Sequence, residues 1–329
     1  MPPAKAEIHV PSCTLAGSHR RLPQLTQLLP EAVVSAVLER RLRAGVGWFA
    51  VGISTLLACF WAFWGSNEAF HEGWFSPSFW TNVALTLVQY MAPMLVFVIP
   101  TALCTKWRAV GVVFYLGLAG FLFFFFHHSV RTAIPMVFLA ICFAYGTPRP
   151  RRLAFGLAVG LPLLTAIVCG AGPAWRVAHR VNDGNYGMRR ISGNGVELTW
   201  APQGPGWPNS AAKNWFEAKR ACSCLQQDGK TVSDVPLDIW RLPTAEEIVR
   251  SLVRHGENAG GRPDPAAPMK ASYRIQPDKE TPLWNPHSMT IYWWSGTEVD
   301  ANRALRVTYN GWVNQLPKTL GLGYRCVLR

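Results

Sequence analysis

Two close pairs of carboxylates, Asp278 with Glu280 and Glu298 with Asp300, are the residues best suited by type and spacing to acid–base chemistry. Residues two apart on a strand share a face, so either pair could serve a hydrolysis in which one carboxyl donates a proton and the other activates water. No positioned nucleophile or oxyanion element accompanies them, and loop solvation or capping is the expected role. From residue 196 onward the histidines are His255 and His287, at no recognisable ligand spacing, so no metal site is expected there. His127 and His128 adjoin an apolar run and could bind metal or haem, but adjacent histidines at such a boundary are expected to be interfacial polar residues. No catalytic residue is assigned.

Binding is the better-supplied chemistry. Trp284, Trp293, Trp294 and Trp312 could offer flat faces to a sugar ring or a peptide, or else fill the core of a small irregular sheet. With Asn285, Glu298 and Asn310 they form the candidate ligand-binding set.

The elements that must hold these residues divide the chain in two. Charges are nearly absent between Ala44 and Gly172 and return from Pro173 onward. Apolar runs cover roughly 44 to 64, 82 to 104, 109 to 126, 132 to 146 and 153 to 172. The first would extend about 30 Å as a helix, the thickness of a bilayer's hydrocarbon core. The fourth, about 22 Å long, could be a short or re-entrant helix. Pro93, Pro100, Pro135 and Pro162 could kink helices, and Gly156 with Gly160 could pack helices closely. Few polar groups lie at membrane depth, too few for an ion or proton pathway.

Basic residues accumulate in alternate connectors: Arg40, Arg41 and Arg43, then Lys106 and Arg108, then Arg149, Arg151 and Arg152. Such residues mark the cytoplasmic side, so the expectation is five crossings with the N-terminus inside and residue 173 outside. The net charge of +13 then reflects topology rather than nucleic-acid binding. From Pro173 onward, twenty Lys and Arg face fourteen Asp and Glu, a mild excess compatible with anionic lipid headgroups or acidic glycans. The expected organisation is a cytoplasmic tail over 1–43, a transmembrane region of about five helices over 44–172, a connector over 173–195 and a soluble α+β domain over 196–329. Residues 22 to 40, with Leu22, Leu25, Leu28, Leu29, Val33, Val34 and Val37, could form an amphipathic helix on the inner surface.

In the soluble half, Trp215, Ala218, Cys222 and Leu225 fall at helical spacing, with Gly229 placed to end the helix. A second helix follows IWRLPTAEE, where Pro243 fits the first turn and Thr244 can cap. The segments IYWWSGTE, ALRVTYNG and GYRCVLR read as strands.

The order W-x-E-A-x-x-x-C-x-x-L, WRLPT-x-E-E, YWW-S-x-T/E, A-x-x-V-x-x-x-x-G-x-V and GYRCV resembles the Lcl-type C-terminal domain family, over roughly Val196 to Arg329. That family belongs to the C-type-lectin-like superfamily, which also holds the sulfatase-modifying factors. The resemblance implies a C-type-lectin-like domain. Trp215 and Ala218 would lie on its first helix, and Trp240, Arg241, Leu242, Pro243 and Thr244 at the entry to the second. Tyr324 and Arg325 would lie at the last strand, and a disulfide would join Cys222 to Cys326. Cys224 is left over, as a free thiol or an alternative partner. Formylglycine-generating relatives bind copper through a pair of cysteines near the C-terminus, and here only Cys326 stands there.

Gln276-Pro277-Asp278 matches a tripeptide that some lectins use for calcium, with Trp284 and Asn285 following sooner than in those lectins; calcium is thus the one cofactor to weigh, and none is assigned. The leading expectation is a membrane-anchored extracytoplasmic module that binds a glycan or an envelope protein without catalysis. The alternatives are a cofactor-dependent modifying enzyme of the sulfatase-modifying type and a structural protein that docks another envelope component.

Overall fold

The computed structural model describes residues 31–209 and 212–329. Leu22, Leu25, Leu28 and Leu29 lie outside these, whereas Val33, Val34 and Val37 belong to the same continuous helix as the first apolar run. The helical half comprises α1 (Glu31–His71), α2 (Phe79–Leu85), a π-helical turn (Thr86–Tyr90), α3 (Ala92–Lys106), α4 (Arg108–Phe125), α5 (Val130–Tyr145) and α6 (Arg151–Ala178). All five apolar runs are therefore helical. Among the described residues α1, α4 and α6 are long and apolar enough to cross a membrane, and the bent pair α2–α3 would make a fourth span. With sixteen residues, α5 is shorter than a span requires. Much of the outer face is apolar and exposed, including Leu56, Val88, Phe124 and Ile167, as expected where lipid rather than water is the neighbour.

The second run is broken, with α2 and α3 meeting at 69°. Pro93 stands at the start of α3, where it cannot donate a helical hydrogen bond to the preceding turn. Gly65 of α1 accommodates the break, since a Cβ there would lie 2.3 Å from the Tyr90 carbonyl oxygen. Pro100, Pro135 and Pro162, by contrast, sit inside continuous helices.

Successive long helices alternate in direction. The Thr147 N–H donates to the Arg43 carbonyl at 2.9 Å and Trp48 Nε1 to the Arg149 carbonyl at 2.8 Å, while Gly170 meets Ser66. These contacts make α1 and α6 parallel. Tyr115 of α4 bonds Ser54 of α1 at 3.1 Å and Thr101 of α3 at 2.7 Å, which satisfies a buried hydroxyl within the bundle. The close approaches rest on Gly47, Gly111 and Gly146, each with neighbouring backbone 2.4 Å from where a Cβ would stand. Gly156 and Gly160 have nothing within 4 Å, so the expected GxxxG contact is not made within the chain.

The C-terminal half is α+β. Strands β1 (Arg189–Gly193), β2 (Val196–Trp200), β3 (Trp240–Arg241) and β11 (Val327–Leu328) form an antiparallel sheet in the order β1-β2-β11-β3. Between β2 and β3 lies α7 (Trp215–Ser223), and after β3 comes α8 (Ala245–Ser251). Two short hairpins follow: β4 (Val253–Arg254) with β5 (Glu257–Asn258), and β6 (Arg262–Asp264) with β7 (Ala267–Ser272). A second sheet has β9 (Arg303–Thr308) between β8 (Tyr292–Glu298) and β10 (Val313–Pro317). The connector assigned to 173–195 thus holds the end of α6 and all of β1, because the β1–β2 hairpin closes around Asn194 and Gly195 in left-handed conformations.

Both short helices begin with capping boxes, Asn214 with Glu217 and Thr244 with Glu247. Pro243 precedes the cap instead of occupying the first turn. The first helix ends at Ser223, earlier than Gly229, which serves the following turn at φ +66°. The Cys222–Cys326 disulfide joins α7 to the approach to β11 with Cα atoms 5.6 Å apart, while Cys224 is a buried free thiol. Trp215, Ala218, Trp240, Leu242, Pro243 and Tyr324 are all buried around it, and Thr244 is exposed at its cap.

Candidate functional site at the seam

A cavity of about 770 Å³ lies where the C-terminal domain meets the outer ends of α1 and α6. Its α1 wall carries Phe63, Glu68 and His71, its α6 wall Arg176 and Val177, and its domain wall Tyr292, Arg306 and Tyr309. The helix ends are pinned to the domain by several bonds. Tyr292 donates its hydroxyl to Glu72 at 3.4 Å, the His71 ring lies 5.4 Å from that of Tyr309, and His287 Nδ1 is 3.3 Å from the Phe75 carbonyl oxygen. Beyond α6, the Thr281 N–H donates to the Val181 carbonyl at 3.1 Å.

Arg180 reaches from this connector to Asp278 at 2.9 Å, and Arg254 binds the other oxygen of Asp278 at 2.6 Å and Glu280 at 3.4 Å. Both carboxylates are buried, so the expected solvation of this pair does not hold; they are neutralised by guanidinium groups instead. Burial raises the Glu280 carboxyl above its ordinary value against the pull of Arg254. Asp278, the acidic member of the Gln276-Pro277-Asp278 tripeptide, thus carries two charge-assisted bonds from arginines. Glu298 and Asp300 are exposed and structural: Glu298 accepts from Lys318 at 2.6 Å, which holds its carboxyl below the usual range, and Asp300 caps the turn to β9 through the Asn302 and Arg303 N–H groups.

The four tryptophans separate. Trp284 and Trp293 stack at 3.5 Å within the core, and Trp294 is fully buried with its indole N–H donating to the Lys213 carbonyl at 3.1 Å. None of the three presents a face to solvent. Asn285 is also buried, turned toward Asn209. Trp312 is 73% exposed and lies with Asn310 on the lip of the cavity. The β9–β10 turn holds it there: Trp312 donates its N–H to Thr308 Oγ1 at 2.8 Å, and Gly311 adopts φ +87°. A side chain at Gly311 would collide with the Tyr273 ring, 2.5 Å from the Cβ position. Glu298 lies apart, in a separate groove with Trp215, Phe216 and Lys219.

Glu68, His71 and Glu72 are not among the residues singled out from the sequence. Glu68 and His71 occupy the last turn of α1 and Glu72 follows it directly, at i, i+3 and i+4, with ligand atoms within 4.8 Å of one another, a set able to hold a metal ion. Their E-x-x-H-E spacing at a helix end could have drawn attention to them. Arg176 and Arg306 carried no comparable signal, because their meeting depends on tertiary contact. Compared with known proteins, the chain matches no family model and no curated sequence.

Proposed function

We propose that the chain is a multi-pass membrane protein with a cytoplasmic N-terminus, and that its C-terminal half is an extracytoplasmic C-type-lectin-like module that binds a glycan or an envelope protein. The bundle's geometry carries the orientation. With α1 and α6 parallel, Arg43, Lys106, Arg108, Arg149, Arg151 and Arg152 gather at one end, and the C-terminal domain stands at the other. A basic end of this kind belongs on the cytoplasmic side. The Cys222–Cys326 bond fits the oxidising space on the opposite side.

The lectin-like reading draws support from the bridge between α7 and the end of the chain, and from the pairing of β2 with β11, which brings both ends of the domain together. Trp312 and Asn310 form the ligand-facing edge, since an exposed indole held by a rigid turn offers a stacking face at small entropic cost. Binding is favoured over catalysis because Asp278 and Glu280, the close pair of buried carboxylates among the described residues, are held by Arg180 and Arg254. The full chain, purified in detergent, is expected to bind a glycan class on an array, and Trp312→Ala to abolish that signal. Stoichiometric copper or iron in the purified protein would instead support the modifying-enzyme alternative, and a co-purifying envelope protein that survives Trp312→Ala would support the docking alternative.

A further inference from the structure

Arg306 presents a problem of charge. Two of its guanidinium nitrogens, Nε and Nη1, are buried without a hydrogen-bond partner, while the guanidinium lies 3.9 Å from the centre of the Tyr292 ring. Those two nitrogens are packed against the protein, and Arg306 also lines the seam cavity, where its charge has no carboxylate partner among the described residues. Arg176 lines the same cavity and forms no ion pair among the described residues. Across the cavity Glu68 of α1 carries the opposite charge, and Glu72 follows just past the end of that helix, beside the cavity wall that Tyr292 forms. Glu72 and Arg306 both touch Tyr292, yet they do not pair with each other. Among the described residues the seam therefore sets Arg176 and Arg306, neither in an ion pair, against Glu68, which has His71 at 3.3 Å, and Glu72, which accepts from the Tyr292 hydroxyl.

The cavity's location narrows what could fill this gap. It opens where the apolar helices α1 and α6 end, and Phe63, Phe70 and Val177 continue its lining toward the apolar surface of the bundle. Arg180 and Asp278 in the same lining already pair with each other, and an occupant with acyl chains on the apolar side and both signs of charge on the other matches the remaining charges, Arg176, Arg306 and Glu68. We propose that the seam cavity binds the zwitterionic headgroup of a membrane phospholipid, with its phosphodiester on Arg176 and Arg306 and its ammonium toward Glu68 and Glu72. The inference rests on the membrane location of the bundle and not on the ligand assigned to Trp312.

Guanidinium groups suit the phosphate because they donate through a planar fork and remain charged throughout the accessible pH range. The ammonium end accounts for the carboxylates, which would repel a purely anionic head. A free phosphate ion would gain from the arginines but would face Glu68 and Glu72 uncompensated.

The test uses the full chain in detergent after delipidation, with native mass spectrometry to count adducts of dihexanoyl-phosphatidylethanolamine, dihexanoyl-phosphatidylglycerol and inorganic phosphate. The expected result is one saturable phosphatidylethanolamine site, with phosphatidylglycerol weaker and phosphate weaker still. Arg306→Gln should weaken it about tenfold or more, the usual scale for a charge-assisted bond. Arg306→Lys should recover part of the loss, and Arg190→Gln, on the exposed β1 strand, should change nothing. An intact disulfide and an unchanged melting temperature will show that each variant folds. Equal binding of the three probes, absence of a saturable site, or the same loss in Arg190→Gln would overturn the proposal. Failure here leaves glycan binding through Trp312 untouched, so the two readings fail separately.

Discussion

Lys279 is buried, and its ammonium donates to the Ser288 carbonyl. Burial pushes it down from 10.5 to about 7, with the nearby charge of Arg180 acting in the same direction and Asp278 opposing. An unfolded chain keeps this proton up to the ordinary lysine value, whereas the folded protein releases it near 7. Unfolding between those values therefore takes up a proton, and stability rises with pH across the window, by at most about 1.4 kcal/mol per pH unit from this one group. Denaturant midpoints at about pH 7.5 and about pH 9.5 should rise in the parent and converge in Lys279→Met; equal slopes in both would refute the assignment. Arg325 shows a different solution to burying a cation. It donates to the Ala201 and Pro282 carbonyls at 2.9 and 3.0 Å and also to that of Leu283, and it packs 3.6 Å from the Trp207 ring centre. Burial pulls its guanidinium well below the ordinary value. The sequence marked Arg325 within GYRCV without disclosing that role, because its three acceptors lie more than forty residues away.

At the level of elements, the bundle depends on glycines that allow backbone to touch backbone. Gly47→Leu would drive a side chain into Thr147 and Pro148, so a loss of about 1–3 kcal/mol is expected from overpacking. Gly156→Leu, with open space around it, should leave the melting temperature in detergent nearly unchanged. Equal effects of the two would mean that the helices are not packed as described. The apolar runs made the helices legible, and Thr244 followed by Glu247 made the start of α8 legible. The contact between glycines was not, since a GxxxG spacing is local whereas Gly47 meets Gly146 across about a hundred residues. Strand β10 was missed for a similar reason. Its sequence VNQLP has weak strand character, and its pairing with β9 holds it extended. Likewise, alternation could not distinguish Trp312 at the turn from Trp293 and Trp294 in the core strand, because the decisive fact is what covers each ring.

At the scale of the molecule, two halves that the composition separates are joined by a polar seam that the composition does not reveal. The Asp278 and Glu72 contacts cross it from positions about a hundred and two hundred residues away from their partners. The disulfide spans a separation of 104 residues, so its loss in Cys222→Ser with Cys326→Ser should cost about 4–5 kcal/mol through loop entropy, read from denaturant midpoints of the full chain. A cost near zero would contradict a bridge that constrains the unfolded domain. The central claim is that the domain stands at the end of the bundle opposite its arginines, outside the cytoplasm. It is tested most directly by fusing, after Arg329, a phosphatase that folds only in an oxidising space, and in a parallel fusion a fluorescent protein that matures only in the cytosol. The account predicts phosphatase activity without fluorescence; fluorescence without phosphatase activity would contradict it.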